Sequence, residues 1–365
     1  MEGLLSGVLL SSDLIRESVV LERVHTQYDP DLGWAPIPDL HIPDMYGPGV
    51  FLRTNSDGFR GPYNYTESIP AGKRRLICSG DSVTFGYGVD DDHSWCRLLE
   101  TIDPRLQTIN MALPGYGVDQ AYLWYKRDAQ RFDHQIHVFA PITDDLRRMQ
   151  GAKFNGYGRP FLVVNDGRLA VTNVPVPPES FRLPWLTEVR RHVWSLRSAE
   201  AVRRVRRLAQ GLWNGDAEAA LPVSGADRVA ADDQTALVVG KLLQDLQALN
   251  RERGSVLVVV YLPTFNDRGP DTQFWTRVLA AECQRLSIPF VNLVPLFQQM
   301  PPVEVAALYL PNDLGHFNEK GNRYVAQLIH QHLVRIPETS RALLDTGGPP
   351  REARLPPPAR AVSRE

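Results

Sequence analysis

Between residues 74 and 334 the chain alternates short apolar runs with amphipathic stretches, and this rhythm leaves few folds open. The runs lie at residues 75–79, 108–112, 136–140, 255–262 and 289–293. Several lack the every-other-residue polarity of a half-exposed strand, which is the pattern of parallel strands covered on both faces. Helices are expected between and after them at 94–100, 119–130, 233–253, 274–286 and 319–334. Strands alternating with helices build a parallel sheet with helices on both sides. The expectation is an α/β, three-layer, flavodoxin-like fold with a five-stranded parallel sheet. With 365 residues, 43% of them hydrophobic, the chain is long enough for one large domain or two small ones.

Three regions depart from the rhythm. Residues 1–25 look helical from the spacing of Leu4, Leu5, Leu9, Leu14 and Val19. Prolines and glycines punctuate 26–72, so mostly irregular chain with short strands is expected, one of them at Phe51, Leu52 and Arg53. Trp34, Tyr46, Phe51 and Phe59 make this arm too apolar for a free tail, and 1–72 is expected to lie on the main domain, 73–336. Residues 150–232 carry no strand–helix alternation. There Asn165-Asp166-Gly167 suits a tight primed turn joining 160–164 to 168–174. A helix is expected over 185–212, rich in Arg190, Arg191, Arg197, Arg203, Arg204, Arg206 and Arg207, and a mobile loop over 214–232. The interval reads as an inserted hairpin and helix, a candidate lid. The Pro-, Arg- and Glu-rich tail, 337–365, is expected to be disordered.

The chemistry gathers at the ends of the runs. Gly80-Asp81-Ser82 breaks the first and leaves a hydroxyl at the carboxyl end of a strand, where open α/β sheets place their ligands. Serine is a weak nucleophile and needs a base, and the base needs an orienting group. Asp313-Leu314-Gly315-His316 offers both, after the last run. Between them come Asn110-Met111-Ala112-Leu113-Pro114-Gly115-Tyr116-Gly117 after the second run and Thr143-Asp144-Asp145 after the third.

In this order the four blocks resemble the SGNH/GDSL hydrolase family, over residues 50–336. The resemblance implies Ser82 as nucleophile, His316 as general base and Asp313 as the group that orients the imidazole. It implies an oxyanion hole from the N–H groups of Ser82 and Gly115 and from the residue at 144. The family usually carries Gly-x-Asn-Asp at the third block; here Ile142 and Asp144 stand for the Gly and the Asn. An ionised carboxylate only accepts hydrogen bonds. Asp144 must therefore be protonated, turn away or be replaced by another donor, or else the protein is a poor catalyst. Gly33-Trp34, residues 55–60, Pro114-Gly115-Tyr116-Gly117 and the hairpin are similar to bacterial SGNH proteins of extracellular-polysaccharide or lipid-linked sugar pathways, commonly membrane-anchored upstream of this region. That narrower resemblance implies an acylated carbohydrate as substrate. Three readings stand: a serine ester hydrolase removing a short acyl group, an O-acyltransferase, and a carbohydrate-binding scaffold with a damaged oxyanion hole. None needs a metal or organic cofactor.

Net charge is −2, with no bias towards nucleic acid. The Arg-rich segment leaves peripheral contact with an anionic surface open. Cys78, Cys96 and Cys283 are odd in number, lack metal-ligand spacing and suggest no disulfide framework. The apolar stretch from Leu4 to Leu10 is far short of the ~18 residues of a spanning helix and lacks a basic flank, so no signal peptide is expected. The sequence as given reads as cytoplasmic; a start further upstream would make it periplasmic or membrane-associated.

Overall fold

The computed structural model describes residues 22–154, 157–177, 225–265, 267, 270–311 and 313–344. Two antiparallel hairpins open it. β1 (Thr26–Asp29) pairs with β2 (Gly33–Pro36), and β3 (His41–Gly47) with β4 (Val50–Arg53). The arm is thus more ordered than its prolines suggest, and Leu32, Trp34, Leu52 and Phe59 anchor it in the core. Of the helix expected over 1–25, only a 3-10 turn, Glu22–His25, lies within the described residues.

The central sheet holds β5 (Arg74–Gly80), β6 (Leu106–Ala112), β7 (Ile136–Ala140), β12 (Val256–Tyr261) and β13 (Phe290–Asn292), all parallel. Their spatial order is β13-β12-β7-β5-β6, the expected flavodoxin-like order. Successive strand residues face opposite sides, and the two cores divide accordingly: Ile77, Ile109 and Val259 enter one, Leu76, Cys78 and Val258 the other. Helices α3 (Val118–Asp128), α5 (Gly225–Glu252) and α6 (Pro270–Leu286) cover the first face. On the second lie α2 (Trp95–Ile102, capped by Ser94), α7 (Glu319–Arg335) and α8 (Pro337–Leu344).

Two expectations are corrected here. The tail does not lose order at 337: Pro337–Leu344 is a helix, because Leu343 and Thr339 bury against the second core, with the Thr339 hydroxyl bonded to the Ile336 carbonyl. The long helix starts at Gly225, inside the stretch read as a loop, since the small residues there include good helix formers. Within the insertion, β8 (Lys153–Phe154) and β9 (Tyr157–Gly158) form a short pair. β10 (Phe161–Asn165) and β11 (Arg168–Thr172) form the expected hairpin, with φ of 50° at Asp166 and 72° at Gly167. Leu162 is buried, and Val164 and Leu169 pack on the first core. The Arg-rich stretch of the candidate lid lies outside the described residues.

A last antiparallel pair, β14 (Tyr309–Leu310) with β15 (Asp313–Phe317), sits ahead of α7. Asn318 caps α7, accepting from the Gly321 N–H at 3.0 Å, while its side-chain amide donates to the Ala307 and Tyr309 carbonyls. This ties the hairpin to the helix that follows it.

Candidate active site

Ser82 opens a one-turn helix, α1 (Ser82–Phe85), directly after β5. The turn is tight because Gly80 has no Cβ: one there would strike Thr84 and come 2.8 Å from the Ala140 carbonyl. Asp81 caps the turn, its Oδ1 accepting from the Val83 N–H at 2.9 Å. At the far end Gly86 adopts φ +82°. The carbonyls of Phe85, Gly86 and Val89 are gathered by one buried guanidinium, that of Arg60, which also bonds Asp91 at 3.1 Å. Asn110 donates to the Thr84 carbonyl at 3.1 Å. The turn that carries Ser82 is therefore fixed from both ends.

The folding of β14 and β15 carries His316 back to this turn from 234 residues away, with Nε2 2.7 Å from Ser82 Oγ. Nδ1 lies 2.7 Å from Asp313 Oδ2. With Asp313 ionised, Nδ1 holds the proton and donates, which leaves Nε2 free to accept from the serine hydroxyl. Burial alone would push the Asp313 carboxyl up. The His316 hydrogen bond and charge and the Gly315 N–H outweigh it and hold the group below its ordinary value. Tyr87 lies against the imidazole, ring centroids 4.5 Å apart, and Tyr46 of the arm packs on Tyr87 at 4.8 Å.

Behind Ser82 lies a buried charge cluster. Arg148, at the end of α4 (Thr143–Arg148), donates to Asp81 Oδ2 at 3.0 Å, to Asp145 Oδ1 at 2.7 Å and to the Tyr116 carbonyl at 3.0 Å. Burial pushes the Asp145 carboxyl well above the usual carboxylate range, and neighbouring Asp81 adds to this; Arg148 and the Ile142 N–H pull it back only in part. Ser82 Oγ is also 3.2 Å from Asp81 Oδ2. Arg148 draws on that same oxygen, so the shorter contact to His316 is the better outlet for the hydroxyl proton. A second buried pair, Arg159 with Asp119, ties the insertion to the start of α3, and Arg159 also reaches the Arg148 carbonyl.

One guanidinium thus joins the Ser82 turn to the loop 113–117, with a further bond from the Leu113 N–H to the Gly80 carbonyl at 3.3 Å. In that loop Gly115 has φ +80°, and a Cβ on it would come 3.0 Å from the Phe154 ring and 3.3 Å from Trp34. Gly117 donates to Gln120 Oε1 at 3.4 Å and serves the turn into α3. Asp144 is turned to solvent: its side chain is 56% exposed, with Arg147 at 3.8 Å.

Sequence reasoning missed Arg148, Arg60 and the role of Asp81. Arg60 had a signal, since it ends the 55–60 block already singled out; Arg148 had none, since its partner Asp81 lies 67 residues away. His134 and His137, flanking and within β7, are buried in a network with Tyr125, Asn250 and Ser79. Trp185, Trp194 and Trp213 lie outside the described residues. The three cysteines are free and buried. Among the described residues no three His, Cys, Asp or Glu side chains group as a metal requires, and no helix is long and apolar enough to cross a membrane.

No protein-family model matches the chain, and no curated protein matches it. Similar solved structures include a member of the lipolytic protein G-D-S-L family from Veillonella parvula, 13% identical, TM-score 0.40, covering 72% of this chain and 100% of that one. The psychrotrophic esterase EstA from Pseudoalteromonas is 10% identical, TM-score 0.40, covering 72% and 98%. Axe2, an acetylxylan esterase from Geobacillus stearothermophilus, is 12% identical, TM-score 0.40, covering 75% and 96%. The chain resembles the SGNH/GDSL hydrolases in its own ordered blocks, its sheet order and the geometry that joins its first block to its last.

Proposed function

We propose that the protein is a serine ester hydrolase that removes a short acyl group through an acyl-enzyme on Ser82. The observation that carries this is the unbroken hydrogen-bond chain from Ser82 Oγ through His316 to Asp313, at 2.7 Å in each step. Ser82 Oγ attacks the ester carbonyl carbon as its proton passes to His316 Nε2. The electron pair of the C=O bond moves to oxygen, giving a tetrahedral oxyanion. Collapse of that intermediate breaks the ester C–O bond, and His316 returns the proton to the leaving alcohol. Water then repeats the sequence on the acyl-enzyme and frees Ser82.

The oxyanion is assigned to two backbone donors. Ser82 stands in the first turn of a helix, where an N–H has no intrahelical acceptor. Gly115 presents the second N–H from a left-handed turn at φ +80°, packed so closely under Phe154 and Trp34 that only a residue without a Cβ fits. Asp144 is not a donor in this reading, since its carboxylate faces water. One donor fewer than the family pattern corresponds to a rate lower by about 10²–10³. A carbohydrate-borne acyl group is the proposed substrate, by resemblance alone. With a sugar hydroxyl in place of water, the same intermediate would make an acyltransferase.

The test is turnover of p-nitrophenyl acetate by the wild type, Ser82→Ala and Asp144→Asn. The expected result is turnover that Ser82→Ala abolishes. If wild type and Ser82→Ala are equally inert while Asp144→Asn gains activity, the protein is a binding scaffold, the reading that the missing third donor favours.

A further inference from the structure

Resting on the reading of Gly115 as an oxyanion donor, we infer that Trp34, in the arm ahead of the sheet, is a positioning residue for that donor. Its indole Nε1–H donates to the Pro114 carbonyl at 3.2 Å. That carbonyl is the other end of the peptide unit whose N–H belongs to Gly115. A peptide unit is planar and trans, so holding its oxygen fixes the line along which its N–H points. A hydrogen bond on the carbonyl also polarises the amide and strengthens the N–H as a donor.

The indole is itself held. Trp34 is buried in β2, and its own carbonyl accepts from the Tyr116 hydroxyl at 2.6 Å. The Tyr116 ring meets it edge-on with centroids 5.6 Å apart, and Phe154 stacks on it at 6.5 Å. Gly33, just before it, has φ +84° and lies so close to the Gly158 carbonyl that a Cβ would clash. Arg148 holds the Tyr116 carbonyl from the other side. Gly115 therefore sits between two gripped carbonyls, Pro114 bound by the arm and Tyr116 by the charge cluster. The hairpin β1–β2 lies outside the five-stranded sheet, yet its tryptophan sets the aim of a group at the reacting atoms.

Trp34→Phe keeps an aromatic ring and removes the donor together with one ring of the indole. With p-nitrophenyl acetate, kcat/KM per active site is expected to fall about 10-fold, less than the cost of deleting an oxyanion donor outright. The fall lies in kcat, with KM within about twofold, as for an interaction realised in the transition state. Affinity for an alkyl boronic acid, which forms a tetrahedral adduct on Ser82, falls by the same factor. The midpoint of the pH–rate profile stays in place, because no charge near His316 changes. A merely structural role would lower the fraction of protein labelled by a fluorophosphonate and leave the constants per labelled site unchanged. Should Trp34→Phe not fold, 3-benzothienylalanine in place of Trp34 preserves the indole shape with sulfur for N–H, and the same fall is expected. Unchanged kcat/KM and boronate affinity per labelled site in either variant overturn the role of Trp34. Failure of the serine-hydrolase reading beneath both roles is distinct: Ser82→Ala would then turn over as fast as wild type, and the roles of Gly115 and Trp34 would go with that reading.

Discussion

The two halves of the site are built differently. On one side Ser82 is buried, and Asp81, Arg60, Asn110 and Arg148 bind the turn around it, each from a different segment. On the other, Asp313 and His316 ride on a short hairpin at the surface, and the Asp313 side chain is 41% exposed. The first half is desolvated and cross-braced by charge. In the second no buried charge among the described residues braces the pair: His316 is held by the hairpin pairing, the face of Tyr87 and the hydrogen bonds to Asp313 and Ser82. The difference teaches where stability and the proposed chemistry separate: changes to the braces around Ser82 are expected to disturb the fold, and changes on the hairpin the reaction.

Removing Arg148 presses this contrast hardest. Arg148→Leu leaves Asp81 and Asp145 without their shared cation, and stability is expected to drop by about 3–5 kcal/mol in urea denaturation. A drop below about 1 kcal/mol would show that the brace is not structural. Asp313→Asn asks the opposite question of the exposed half. It is expected to lower kcat about 10²-fold, less than for a fully buried triad carboxylate, since water can replace part of the lost charge stabilisation. The melting temperature should hardly move; a large fall would mean that the hairpin carries structural weight.

The smallest effect comes from beneath the Ser82 turn. His25 is buried against Phe85, ring centroids 5.5 Å apart, and neither ring nitrogen has a hydrogen-bond partner among the described residues. Burial, with the charge of Arg60 beside it, lowers its pKa to about 3. A base depressed in the fold adds stability that is complete above the ordinary imidazole value, 6.5, and is lost as pH falls towards 3. His25→Phe keeps the stacked ring and removes the titration. Between pH 7 and pH 5 the variant is expected to lose about 2 kcal/mol less than wild type in urea denaturation. Parallel losses would mean that His25 is charged or hydrated in the fold.

Much of this was legible in the sequence, for reasons that differ by element. The strands stood out because Leu76, Ile77 and Cys78, or Val258, Val259 and Val260, are apolar on both faces, as a covered parallel sheet requires. The hairpin turn at Asp166 and Gly167 was visible because few residues accept positive φ at both positions. What could not be read was long-range polar pairing. Nothing local says that Arg148 meets Asp81, or that the Trp34 indole reaches Pro114, 80 residues on. Pro337–Leu344 was hidden by the composition of the tail beyond it, since two buried side chains suffice to dock one short helix.

The central claim is that Ser82, activated by His316, carries the acyl group. Intact-protein and peptide mass spectrometry after an acid quench of the reaction with p-nitrophenyl acetate tests it most directly. An acetyl adduct on the peptide containing Ser82, absent from Ser82→Ala and decaying at the rate of turnover, is the predicted result. Undiminished turnover by Ser82→Ala, or an adduct on another side chain that decays at that rate, would contradict it.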